Sequence, residues 1–194
     1  MNNGMDERDV ETLRRAGMSE DDITHSVHVA EKALEIAARC GGATPGVDGG
    51  GIDMELVARG ALFHDLGKAK THEIEHGGIG AGMGRALGLP AGVLDIMEKH
   101  IRGGLTPDEA RQLGLPVKDY ALKNIEEKVV IYADRLVDII HDGIVALKDE
   151  REVESRFEEI LRAYPQYGKN DITLARYLGY HAEIQALMDT KNVG

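Results

Sequence analysis

The sequence predicts an all-α protein, a single compact helical bundle, on three observations. Apolar residues recur at three-to-four spacing along most of the chain, the period of a helix with one buried face. No stretch alternates apolar and polar residues as a half-buried strand would. Aromatics make up only 4% of the chain and Trp is absent, so small and aliphatic side chains must build the core.

The elements follow in order. A short helix is expected over Arg8 to Ala16. Ser19-x-x-Asp22 then opens a long helix to about Arg39, stopped by Gly41-Gly42. Residues 41–52 are glycine-rich and read as a loop; candidate site residues on both sides argue against a domain linker. A helix from Asp53 to Phe63 follows, then helices over about 76–88 and 90–100, the second with Pro90 near its first turn. Thr106-Pro107-Asp108-Glu109 carries a cap, a proline for the first helical position and a glutamate for a capping box, and Gly114 ends that short element. Longer helices fit 121–142, 149–163 and 171–189. The expected organisation is an N-terminal extension (1–18), a helical core (19–142) and C-terminal helices packed on it (143–194), which cover the core or build a subunit contact.

The 194 residues suffice for one domain with a real core. A formal net charge of −11 argues against a broad duplex nucleic-acid partner, which needs a basic face, but not against a small basic pocket for one nucleotide. Cys40 is the one cysteine, so no intramolecular disulfide can form. No apolar run approaches a membrane span and Met1 to Glu11 do not read as a signal peptide, which makes the cytoplasm the default location.

The most informative feature is His64-Asp65, at the end of an apolar helical run and followed by Leu66-Gly67-Lys68. Neighbouring helical side chains diverge by about 100°, and a metal ion between them would reconcile imidazole and carboxylate. A His-Asp pair is expected roughly once by chance in a chain of this composition, and His141-Asp142 is a second one. The first stands out by its company: His25, His76, His100 and Asp134 join it, giving six potential ligands from five segments. Helical bundles build metal sites in their cores from such dispersed residues.

This ordered set resembles the HD-domain superfamily of metal-dependent phosphohydrolases. His25 matches its first histidine in a His-Ser-x-x-Val-Ala context, His64-Asp65 the signature pair, and Asp134 the late aspartate in Ala-Asp-Arg. His76, before Gly-Gly-Ile-Gly-Ala, and His100 resemble the two further histidines of the dinuclear, HDIG-type branch. The resemblance spans about residues 20–142. It implies an HD-type helical fold and one or two divalent ions (Fe, Mn, Co, Ni, Zn or Mg).

Each candidate also has a plainer reading. Helical phase puts His25 on a stripe with Val29, Ile36 and Cys40, and His28 on a solvated face with Thr24, Glu31, Lys32 and Glu35. His64 alone could be a buried histidine satisfied by a backbone carbonyl. Asp134 lies in an apolar helix, where a carboxylate must be paired or coordinated; its plainer reading is an ion pair with Arg135 or with a neighbouring helix. His72 and His76 are four residues apart and either could point inward, with the context favouring His76. His100 could be a helix C-terminal histidine in the dipole field. His141 is expected to contact Asp138, and His181 has no identified partner.

Lys68 and Arg102 follow the candidate ligands closely, where a phosphate needs countercharge. Cys40 lacks an evident base, and no Gly-x-Ser-x-Gly elbow or phosphate loop occurs. The leading expectation is therefore hydrolysis of a phosphate ester or anhydride by metal-bound hydroxide, and the resemblance implies the same reaction on a nucleotide or other small phosphorylated substrate. Asp65, Lys68 and Arg102 would carry the catalytic roles, Asp65 handling protons or bridging two ions. Two rival classes stay open: a di-iron oxygenase of the same superfamily, and a metal- or nucleotide-binding regulator with little turnover. A homo-oligomer also stays open.

Overall fold

The computed structural model describes residues 6–41 and 51–192. Its regular elements are helices, with no strand among the described residues. Local sequence explains most of the boundaries. Helix α1 (Glu7–Ala16) starts at Asp6, whose side chain accepts from the Arg8 amide, and ends at Gly17 with φ 94°. That left-handed stop carries no Cβ penalty at glycine. Helix α2 (Glu20–Arg39) is capped by Ser19, which accepts from the Asp22 amide. Helix α3 (Met54–Phe63) begins after Asp53, which caps it through the Leu56 amide. The 41–52 loop expected between α2 and α3 lies largely outside the described residues.

Helices α2, α3 and α7 (Ile125–His141) pack against one another and hold the centre of the core. Val29, Ala33 and Ile36 of α2, Val57 and Ala61 of α3, and Val129, Val130, Ala133 and Leu136 of α7 are wholly buried. Each fully buried Val, Leu or Ile among them contributes about 1.5–3 kcal/mol. Helices α4 (His76–Ala86) and α5 (Ala91–Lys99) form a hairpin, with α5 on α3. Gly60 permits that approach, since a Cβ there would meet Ile96 Cδ1 at 2.3 Å.

Helix α6 (Pro107–Gln112) has the expected Thr106–Glu109 capping box. Beyond it the structure departs from the expected bounds. Helix α7 starts at Ile125 rather than 121, because Asn124 and Glu127 form a second capping box. The single helix expected over 149–163 is two, α8 (Glu152–Ser155) and α9 (Phe157–Ala163), broken where Arg156 leaves helical geometry at φ −105°, ψ 9°. Pro165 then opens α10 (Pro165–Gly168); the residue before it is extended, as proline requires. Helix α11 (Asp171–Asn192) lies against α7, α9 and α10. No described helix is long and apolar enough to cross a membrane.

Candidate metal centre

The C-terminal ends of two helices, the start of a third, the second turn of a fourth and the middle of a fifth meet in one place. His64 is the C-cap of α3, and Asp65 leaves the helix at φ −97°, ψ 11° to open a 3-10 turn over Leu66–Ala69. His25 lies in the second turn of α2, His76 is the first residue of α4, His100 the C-cap of α5, and Asp134 is midway along α7.

Asp65 is the hub. Its Oδ2 lies 3.2 Å from His64 Nε2 and 3.8 Å from His25 Nε2, and its Oδ1 lies 3.2 Å from His76 Nε2 and 3.4 Å from His100 Nε2. Asp134 Oδ1 lies 3.0 Å from His25 Nε2 and 3.5 Å from His64 Nε2. Two groups able to hold a metal ion therefore share one carboxylate: His25, His64 and Asp65 on one side, Asp65, His76 and His100 on the other.

The histidines are oriented by the backbone. His64, His76 and His100 each place Nδ1 at 2.6–2.7 Å from the carbonyl three residues earlier, of Ala61, Glu73 and Met97. A carbonyl only accepts, so each Nδ1 donates, and each neutral ring turns the Nε2 lone pair inward. His64 Nε2 is buried without a hydrogen-bond partner and faces two carboxylates. His76 Nε2 and His100 Nε2 stand 2.8 Å apart, which sets two acceptor atoms against each other unless a proton or a cation intervenes. Two imidazole nitrogens each about 2.1 Å from one ion, at a right angle, lie about 3 Å apart. The donor set thus fits divalent cations.

The two carboxylates make the centre strongly anionic, so it attracts a proton or a cation. Burial disfavours charge on His64, but Asp65 and Asp134 outweigh it and raise its pKa well above the ordinary imidazole range. Burial likewise opposes the charge on Asp65, and His64, His100 and His76 outweigh it, holding the carboxyl well below its usual range. Asp134 is held low against burial by His25 and His64. Burial pushes His100 down, towards the neutral form that ligates.

The cluster floors an open cleft of about 320 Å³. Lys68 lies at this cleft with Nζ 2.5 Å from Asp65 Oδ2, and Arg102 borders it in left-handed backbone, φ 50°. Seven of the eight residues expected to matter chemically, by ligation or phosphate contact, line this cleft, and His64 lies buried beside Asp65. His72 remains in the preceding loop, two-thirds exposed and 3.3 Å from Asp22 Oδ2.

Other expectations need correction. Arg135 does not pair with Asp134: it pairs with Asp138 at 2.8 Å and donates to the Tyr177 hydroxyl at 3.1 Å. His141 therefore does not take Asp138; it stacks on His28 at 4.5 Å, leaving His28 half-buried rather than fully solvated. His181 does have partners, the Tyr132 hydroxyl at 2.7 Å from Nδ1 and the Phe157 ring. Sequence reasoning also missed Asp138, which groups with His25 and Asp134 and whose pKa burial and the Asp134 charge push up to about 7. Its four-residue spacing from Asp134 was the available signal. Lys169 and Tyr177, from the C-terminal segment, line the cleft without any local signal.

The family model for the HD domain matches residues 22–137. The uncharacterized protein MJ0778 of Methanocaldococcus jannaschii is 38% identical over 170 residues, 88% of this chain and 91% of that one. A tRNA (cytidine(56)-2′-O)-methyltransferase of Picrophilus torridus is 46% identical over 96 residues, half of this chain but only 28% of that protein. Among solved structures, the PgpH phosphodiesterase HD domain of L. monocytogenes in complex with cyclic-di-AMP superposes with a TM-score of 0.54 over 88% of this chain and 89% of that one, at 16% identity. The chain belongs to the HD-domain family.

Proposed function

We propose that this protein is a metal-dependent phosphohydrolase acting on a nucleotide or a similar small phosphorylated substrate. The observation that carries the reading is the Asp65 carboxylate shared between two histidine groups whose Nε2 atoms all turn towards it. In this reading His25, His64, Asp65 and Asp134 hold one divalent ion, and Asp65, His76 and His100 hold a second. Two such ions would supply an activated water and a Lewis acid for a phosphoryl oxygen. Iron, manganese, cobalt, nickel, zinc and magnesium all remain eligible, and the imidazole-rich set favours the transition metals.

The chain's own side chains supply the rest. Lys68, 2.5 Å from Asp65 Oδ2, is positively charged beside the bridging carboxylate and is placed to bind a phosphate oxygen. Burial lowers its pKa, but Asp65 more than offsets this and keeps it charged. Arg102 offers a guanidinium from the cleft's border. Asp65 would orient the attacking water. A nucleotide-like substrate is supported by the cyclic-di-AMP bound to the PgpH domain and by relatives that include ribonuclease Y of Acidothermus cellulolyticus, 49% identical over 51 residues, a quarter of this chain and 10% of that protein. The division into an extension (1–18), an HD core (19–142) and C-terminal helices that complete the cleft belongs to the same proposal.

The test is reconstitution of chelated protein with each metal, followed by an assay of nucleotides, dinucleotides and simple phosphodiesters with oxygen consumption recorded alongside. Product is expected with at least one transition metal, at about two ions per chain. Asp65→Asn should lower kcat on the order of 10³-fold and reduce metal content. Full metal occupancy with no product would return the regulator reading, and dioxygen uptake the oxygenase reading.

A further inference from the structure

Arg102 and Lys169 are the two non-glycine residues with positive φ among the described residues, at 50° and 61°. Both border the cleft above the Asp65 cluster. Left-handed backbone is unfavourable for a residue with a Cβ and persists where the surroundings impose it, a situation concentrated at binding sites.

Here the surroundings are explicit. Arg176 of α11 donates to the Arg102 carbonyl at 3.0 Å and to Glu109 at 2.6 Å, while the Tyr180 hydroxyl donates to the Gly103 carbonyl at 2.9 Å. These bonds tie the Arg102 turn to α11. Lys169 occupies the turn that leads into the same helix. It follows Gly168, where a Cβ would lie 2.4 Å from the Leu161 carbonyl oxygen, and its own amide donates to the Pro165 carbonyl at 2.7 Å. One helix and its leading turn thus fix the backbone of both residues.

Neither charge is held in an ion pair among the described residues, whereas Lys68 pairs with Asp65 and Arg135 with Asp138. Burial and the neighbouring charges of Arg135 and Arg102 depress the Lys169 pKa, and the Asp138 charge offsets them only in part. A protein of net charge −11 has carboxylates in excess, yet among the described residues none lies within ion-pair distance of these two cations. An anionic ligand would supply the missing countercharge.

We infer that Lys169, beside Arg102, adds a second phosphate subsite on the rim of the cleft, so the preferred substrate carries a phosphoryl group beyond the one at the Asp65 cluster. The placement relative to the reacting phosphate rests on the hydrolase reading. Lys169 lies outside the residues matched by the HD-domain family model, so the specificity comes from the C-terminal segment.

The test compares a 5′-phosphorylated dinucleotide with the same dinucleotide bearing a free 5′-hydroxyl. The wild-type protein, loaded with metal, is expected to favour the phosphorylated form by about tenfold or more in kcat/KM. Lys169→Gly should remove most of that preference through KM, with Tm unchanged or raised because glycine accepts the left-handed turn. Lys169→Arg should keep the preference. Calorimetric titration of both dinucleotides in chelator supplies a readout independent of turnover. Tighter binding of the phosphorylated form by wild type, lost in Lys169→Gly, supports the subsite even if no product forms, an outcome that sinks the hydrolase reading alone. Hydrolysis of both dinucleotides at equal kcat/KM, or a preference that survives Lys169→Gly, overturns the subsite and leaves the hydrolase standing.

Discussion

Gly67 joins the two halves of the centre by lacking a side chain. A Cβ there would lie 1.9 Å from the His76 carbonyl oxygen and 2.8 Å from the Gly80 amide nitrogen. The turn after His64-Asp65 therefore presses backbone to backbone on the first turns of α4, which brings His76 Nε2 to 3.2 Å from Asp65 Oδ1. Gly67→Ala must push α4 outward, at an expected cost of roughly 1–3 kcal/mol in denaturant unfolding. His76 and His100 would lose register with Asp65 while His25, His64 and Asp134 keep theirs, so metal analysis should show binding fall from two ions towards one. Wild-type stability and full metal content in this variant would contradict the account. At this scale the sequence was informative where phase or context ranked two residues: His25 over His28, and His76 over His72. It was silent on the Tyr132–His181 contact, which joins residues 49 positions apart.

Between elements, Glu109 links α6 to α11 and thereby supports the Arg102 turn. It closes the capping box with Thr106 and accepts from Arg176 at 2.6 Å, with only 7% of its surface exposed. Burial works against its charge, but the Thr106 amide and Arg176 outweigh it and lower the carboxyl pKa below its ordinary 4.5. A depressed folded-state pKa means a stabilisation fully present above about pH 4.5 and lost as pH falls through the lower, folded value. Glu109→Gln is expected to cost about 1–2 kcal/mol at pH 7, with the gap to wild type narrowing in acid. Urea midpoints at pH 7 and at pH values below about 4.5 measure it. A gap that stays constant with pH would assign the stabilisation to packing rather than charge. The capping box was legible in Thr106-Pro107-Asp108-Glu109, whereas the partner Arg176, 67 residues on, was not. The break of the expected 149–163 helix at Arg156 likewise carried no breaker residue to announce it.

For the molecule as a whole, the centre ties five segments together, so occupancy and stability should be linked. Ions present at about 100 times their Kd stabilise the folded state by about 2.7 kcal/mol. In a chain of this length each kcal/mol is worth about 2–4 °C, so chelation should lower Tm by about 5–10 °C in calorimetry. An unchanged Tm after verified metal removal would count against the site. Helical class, most helix starts and the six ligand candidates were readable because periodicity, caps and stops act within a few residues along the chain. His25 and Asp134, 109 residues apart, could be nominated from their local contexts, but their 3.0 Å approach belongs to the packing of α2 on α7. Asp138, Arg135, Tyr177 and Lys169 enter the cleft for the same reason. Long-range convergence depends on how whole helices pack, and no short window of sequence carries that information.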